Sequence, residues 1–120
     1  MSNNRTILPF AGYPPRIGRY LTQMEDVRRQ VKKYVEGLTP EQLSWHPNEK
    51  TESIATLLLH IAADECSWNG EAIMRRPMDY EWKIAFPIRF DMPQITGQPL
   101  EYYLKTLDVV REQTKVDLKT

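Results

Sequence analysis

Three stretches of this sequence place apolar residues at intervals of three and four, and proline or glycine breaks the chain between them. That spacing lines one face of an α-helix, whose turn takes 3.6 residues. The first stretch carries Ile17, Tyr20, Leu21, Met24, Val27, Val31, Tyr34, Val35 and Leu38, with charged residues between them. Its acidic residues, Glu25 and Asp26, precede the basic Lys32 and Lys33, the order the helix dipole favours. Gly37 is suited to the left-handed conformation that ends a helix. The second stretch has an expected inner face of Ile54, Leu57, Leu58, Ile61, Glu65, Trp68 and Ala72, widened by Leu59 and Ala62. Most of that helix is therefore expected to be buried. The third carries Leu100, Tyr103, Leu104, Leu107 and Val110 and continues towards Thr114 and Leu118. Three long amphipathic helices imply an all-α fold, an up-down helical bundle in which each stripe needs another to cover it.

Proline marks the borders. Residues 1–16 contain Pro9, Gly12, Pro14 and Pro15, which deny helix hydrogen bonds and favour extended backbone. They read as an extended N-terminal arm lying on a helical domain of residues 17–120. Thr39-Pro40-Glu41-Gln42 has the chemistry of a helix start, with Thr39 as N-cap, Pro40 in the first turn and Gln42 closing a capping box. Only a short turn can follow, because Pro47 bars continuation through His46. Ser53 is the expected N-cap of the second long helix. From Arg76 to Pro99 four prolines, Pro77, Pro87, Pro93 and Pro99, alternate with Tyr80, Trp82, Phe86 and Phe90. No regular helix runs through that segment, and a connector of this length is expected to bind something or to pack through its own aromatics.

A chain of 120 residues with 41% hydrophobic content has the size of one domain with one core. Sixteen basic residues balance sixteen acidic ones, so no net field favours a nucleic-acid partner. The apolar run Ile7-Leu8-Pro9-Phe10 is far too short for a signal peptide or a membrane span, which points to a cytoplasmic protein with no membrane partner. Cys66 is the single cysteine and cannot close an intramolecular disulfide. No histidine stands near it in sequence to act as a base, and it reads as an inert thiol.

His60 is the most informative polar residue. It follows Leu57-Leu58-Leu59 in the most apolar helix, where an imidazole needs a hydrogen-bond partner or a metal to offset desolvation. It is expected to point into the interior. Asp64 lies one turn on and shares its face, while Glu65 is rotated by about 140° at roughly 100° per residue. A His and a carboxylate so spaced supply either two metal ligands or a hydrogen-bonded pair. The sequence holds no Cys-x-x-Cys, no His-Glu-x-x-His and no glycine-rich phosphate loop. His46, between Trp45 and Pro47, reads as a turn residue. Trp45, Trp68 and Trp82 read first as core, with Trp68 and Trp82 as candidates to line a pocket.

The order of these features resembles the DinB/YfiT-like superfamily, in its DUF664-type branch. The residues that carry the resemblance are Gly37 to Trp45 followed by Pro47, then Ser53-Ile54 leading into Leu57-Leu58-Leu59-His60-Ile61-Ala62 with Glu65 and Trp68. Gly97 to Leu104 and Val110 to Thr114 are similar to that family's third helix. The resemblance spans residues 17–118. It implies a four-helix bundle that binds a divalent metal, nickel or zinc, through three histidines, one on the second helix and two on the fourth. The matching position on the second helix is His60; the other two have no counterpart in this sequence, and His46 is on the wrong element to replace one. The resemblance further implies a metal-dependent enzyme of hydrolase or thiol-transferase type, with a small-molecule thiol as substrate.

One histidine ligand holds a metal weakly, so the expectation is a DinB-like chain with an incomplete site, missing its C-terminal fourth helix and inactive by itself. Two other readings compete with it: a noncatalytic association module and a small-molecule binder using the aromatic connector. A homodimer is expected, because Leu100, Tyr103, Leu104, Leu107, Val110, Leu58 and Ile61 would otherwise lack a cover.

Overall fold

A computed structural model describes residues 7–76 and 80–119 and, of Tyr80 and Glu81, the backbone alone. Residues 1–6 of the expected arm, and Pro77 of the connector, lie outside the described residues. The fold class is all-α: among the described residues every regular element is helical. Three long helices are present, α1 (Pro15–Val35), α3 (Ile54–Glu65) and α4 (Leu100–Asp117), with the short α2 (Pro40–Ser44) between the first two. A π-helical segment, Cys66–Ile73, continues α3, and a 3₁₀ segment, Tyr80–Ala85, lies in the connector to α4. The chain divides into two compact units, Met1–Glu36 with Leu118–Thr120, and Gly37–Asp117.

In the first unit α1 begins at Pro15, with the proline in the first turn where its missing N–H costs nothing. The preceding segment folds back along the helix. Phe10 N–H donates to Gly18 O at 3.0 Å, and Thr22 Oγ1 donates to Leu8 O at 2.6 Å. Gly18 permits this approach, since a Cβ there would stand 2.9 Å from Phe10 N and 3.0 Å from Pro9 Cβ. Along α1 the buried positions are Gly18, Leu21, Arg28 and Val35. Tyr20, Val27 and Tyr34, expected on the inner face, are exposed because they fall at the edge of an apolar arc wider than the buried one.

The second unit opens where the first helix ends. Gly37 takes a left-handed φ of +81° as its position after α1 anticipates. The capping box forms completely: Gln42 N–H donates to Thr39 Oγ1 at 3.2 Å and Thr39 N–H to Gln42 Oε1 at 2.9 Å. Ser53 caps α3, accepting from Thr56 N–H at 3.1 Å.

The inner face of α3 holds only part of the expected stripe: Leu58, Leu59 and Ala62 are buried as expected, and the rest is rotated towards the alanines. Ala55, Thr56, Leu58, Leu59, Ala62 and Ala63 are buried, whereas Ile54, Leu57, Ile61 and Trp68 are 39%, 47%, 37% and 73% exposed. The helix packs on α4, on α2 and on the 3₁₀ segment, whose Ala85 is fully buried. Close approach to three neighbours favours small side chains, which is why the alanine side turns inward. On α4 the expected stripe holds at Tyr103, Leu107 and Thr114, all buried.

The expected α-helix to Ala72 widens into π turns at Cys66. Those turns bring Asn69 and Gly70 to the buried side. Asn69 Nδ2 donates to Asp117 Oδ2 at 2.6 Å, and the Arg76 guanidinium lies against Gly70, where a Cβ would stand 3.3 Å from Nη2. Polar bonds to α4 thus accompany the less regular geometry of a π segment.

Candidate functional site

Glu65 closes α3 with its side chain 9% exposed and receives three hydrogen bonds from α4. Arg111 Nε and Nη2 donate to its two oxygens at 2.9 and 2.8 Å, and Thr114 Oγ1 donates at 2.7 Å. A second network gathers on Asp117. It accepts from Arg76 Nη1 and Nη2 at 3.0 and 2.5 Å, from Gln113 Nε2 at 2.9 Å and from Asn69. The Arg76 guanidinium, helped by Gln113 and Asn69 and opposed by burial, holds the Asp117 carboxyl below the usual carboxylate range. Both networks are saturated with partners and lock the second long helix to the last.

His60 is different. Its side chain is 22% exposed, enclosed as expected, but its cover comes from outside the helix. The Phe86 ring from the connector stacks on the imidazole, with centroids 4.5 Å apart and planes 26° from parallel. Glu52 brings Oε2 to 3.3 Å from His60 Nε2. Nevertheless Nε2, shielded from solvent, has no hydrogen bond. The carboxylate that meets His60 is therefore Glu52, just before the N-cap, and not Asp64, which is exposed. Glu52 carries no helix phase, so periodicity does not reveal it. The one available signal is the tilt of helix side chains towards the N-terminus, which brings His60 back over the start of α3.

The backbone at that start is pinned by one side chain of the connector. Gln94 Oε1 accepts from Ser53 N–H at 3.0 Å and from Thr56 Oγ1 at 3.2 Å, while Gln94 Nε2 donates to Thr51 O at 3.2 Å. The connector thus supplies both Phe86 against His60 and Gln94 at the residues flanking Glu52.

His46 is a turn residue, as its neighbours imply: its Nδ1 bonds Asn48 O at 2.7 Å. It also lines an open cleft of about 390 Å³ with Glu49, Ile88, Asp91, Met92 and Thr96. No tryptophan lines this cleft. Trp45 and Trp68 are 68% and 73% exposed, so neither is the core residue that aromatic size suggests. Cys66 is half-buried and free of disulfide.

Nitrogen and oxygen donors meet at His60 and Glu52, and the orphaned, shielded Nε2 fits a divalent metal of the imidazole-binding kind. Among the described residues no group of three or more His, Cys, Asp and Glu side chains is assembled for an ion. A comparison with protein families identifies the lineage of this arrangement: the mycothiol S-transferase model matches residues 20–116. The chain belongs to the mycothiol S-transferase family. This is a DinB/YfiT-like family, in accord with the resemblance carried by the helix starts and by His60. The match runs from within α1 to within α4 and spans the positions of His60, Glu52 and Phe86. No curated protein and no solved structure matches the chain. Among the described residues of this mycothiol S-transferase family member, no helix is long and apolar enough to cross a membrane.

Proposed function

We propose that this chain serves a cytoplasmic, metal-dependent thiol S-transferase of the DinB-like type, with His60 at the reacting centre and mycothiol as the thiol substrate. Membership of the mycothiol S-transferase family over residues 20–116 carries the reading, and the enclosed, unsatisfied imidazole supports its placement. His60 and Glu52 would hold the ion, nickel or zinc. A bound divalent metal of this kind stabilises a thiol as its thiolate at neutral pH, the form that attacks an electrophilic carbon. Phe86 fixes the plane of the imidazole and keeps water from one of its faces. Glu52 holds negative charge beside Nε2. In the transfer the thiol sulfur bonds to carbon and a leaving group departs with its electron pair, so no oxidant or reductant is needed.

Catalytic metals normally take three protein ligands, so the pair gathered here predicts weak metal binding and little turnover by this chain alone. The test reads binding first. Adding mycothiol to the chain with cobalt(II) is expected to produce a thiolate-to-metal absorption band that His60→Ala lacks, and conjugation of mycothiol to monobromobimane is expected to stay close to the uncatalysed rate. Absence of the band at saturating cobalt and thiol, or an equal band in His60→Ala, defeats the proposal.

One observation favours a second reading, association of two copies. The residues expected to need a cover are partly covered already, since Tyr103 and Leu107 are fully buried and Leu58 is 3% exposed. The bare stripe is instead Ile54, Leu57 and Ile61 on α3, continued by Trp68 on the π segment. A symmetric pair would cover it with one self-complementary patch. Sedimentation at micromolar concentration is expected to give a dimer that Leu57→Glu dissociates; a monomer in both cases removes this reading.

A further inference from the structure

We propose that Glu52 is a protein ligand of the same ion as His60, bonding it through Oε2 while His60 bonds it through Nε2. This rests on His60 being a metal ligand, and it adds a residue that the expected three-histidine pattern does not contain.

The argument begins with an unsatisfied atom. Nε2 of His60 is shielded from solvent and makes no hydrogen bond, although a carboxylate oxygen stands 3.3 Å away. Buried polar atoms are nearly always paired, and an unpaired one points to a water or ion. At this distance the two atoms can pair directly when the imidazole is protonated, and when it is neutral their lone pairs are close enough to be shared by one ion. Distance agrees with that arrangement. Nitrogen and oxygen ligands lie about 2.0–2.2 Å from a zinc-like ion, so two of them are about 3.0 Å apart at a right angle and about 3.4 Å apart at the tetrahedral angle. The observed separation falls between these values.

Both donors are also held in place before any ion arrives. Phe86 stacks on the imidazole and limits its rotation. Glu52 is flanked by Thr51 and Ser53, whose backbone O and N–H are both bonded to the side chain of Gln94. Holding donors in position lowers the ordering cost of binding. An imidazole with one carboxylate suits zinc, nickel or cobalt rather than the all-oxygen sites of calcium and magnesium.

The chain contains two histidines, which makes the test internally referenced. His46 has no carboxylate among its hydrogen-bond partners, its Nδ1 being bonded to Asn48 O. In a titration of the ¹³C-labelled chain with cobalt(II), the imidazole signals of His60 are expected to respond at about one-tenth of the metal concentration that affects His46. Glu52→Gln is expected to raise the concentration needed at His60 about tenfold and to leave His46 unchanged. Equal responses of His60 in the parent and in Glu52→Gln overturn the role of Glu52 while leaving His60 as a ligand. No response of His60 in either protein overturns the metal reading itself, and with it this proposal.

Anomalous diffraction from crystals soaked in cobalt(II) separates a ligand from a positioning residue. A peak is expected within bonding distance of both His60 Nε2 and Glu52 Oε2. A peak bonded to His60 Nδ1, with Glu52 hydrogen-bonded to the opposite nitrogen, overturns the proposal.

Discussion

Replacing Arg111 by leucine would take from the nearly enclosed Glu65 carboxylate the guanidinium that bonds both of its oxygens. Arg111 donates two hydrogen bonds to Glu65 beside the one from Thr114, and the pair is 7% and 9% exposed. Removing one member of such a buried pair typically costs about 3–5 kcal/mol, because the other charge stays behind without a partner. With a urea dependence of about 1.5–2 kcal/mol per molar for a domain this size, the midpoint should fall by about 2 M. Trp45, Trp68 and Trp82 all lie in the Gly37–Asp117 unit, so tryptophan fluorescence reports the part of the chain that contains the pair. Glu65→Leu alone should be similarly destabilising, since it removes the carboxylate that pairs the buried guanidinium. The double variant Glu65→Leu/Arg111→Leu should recover most of the loss, because it leaves neither charge uncompensated. Single-variant losses under about 1 kcal/mol, or strictly additive losses in the double variant, would refute the view that α3 and α4 are held by a desolvated ion pair.

Acid sensitivity should be partly traceable to Asp117. Its carboxyl is held low in the folded chain, so its contribution is present above the unfolded value of about 3.9 and is lost as pH falls through the lowered one; Asp117→Asn should flatten stability in that acidic range. Gly18→Ala should loosen the segment before α1, seen as faster amide exchange at Phe10, whereas unchanged protection there would mean that the backbone gives way easily. Thr39→Ala removes one half of the capping box and should cost about 1 kcal/mol, measured by denaturation, with no change in cobalt response at His60. Gln94→Ala should weaken that response by freeing the backbone on both sides of Glu52, and an unaltered response would show that Gln94 only shapes the connector.

Local chemistry was the legible part of the sequence. Thr39 with Gln42, Ser53 and Gly37 act as their side chains or conformational freedom dictate, since a cap depends on only three or four consecutive residues. The stripe on α4 was legible for a related reason, because its large apolar residues and its buried face coincide. On α3 they coincide only in part. Periodicity finds Leu58, Leu59 and Ala62 but also selects the exposed Ile54, Leu57, Ile61 and Trp68, and it misses Ala55 and Ala63, which close packing turns inward. The π turns after Glu65 were illegible because they accompany bonds to Asp117 and Arg111, more than forty residues away. For the candidate site, His60 could be singled out from its apolar setting, and the family resemblance gave it a role. Glu52 and Phe86 could not, since both approach His60 from irregular backbone.

The alanine side of α3 also inverts the usual relation between the size of a residue and its freedom to change. Adding two methyl groups at Ala55, Ala62 or Ala63, each fully buried, would push neighbouring elements apart at an expected cost of about 1–3 kcal/mol. Within an isolated chain, by contrast, Leu57 and Trp68 could be exchanged for polar residues with little penalty to folding. A library of variants sorted for folding alone would therefore fix Ala55, Ala62 and Ala63 and let the larger Leu57 and Trp68 drift. Any resistance to change at Leu57 or Trp68 would then report a demand other than folding.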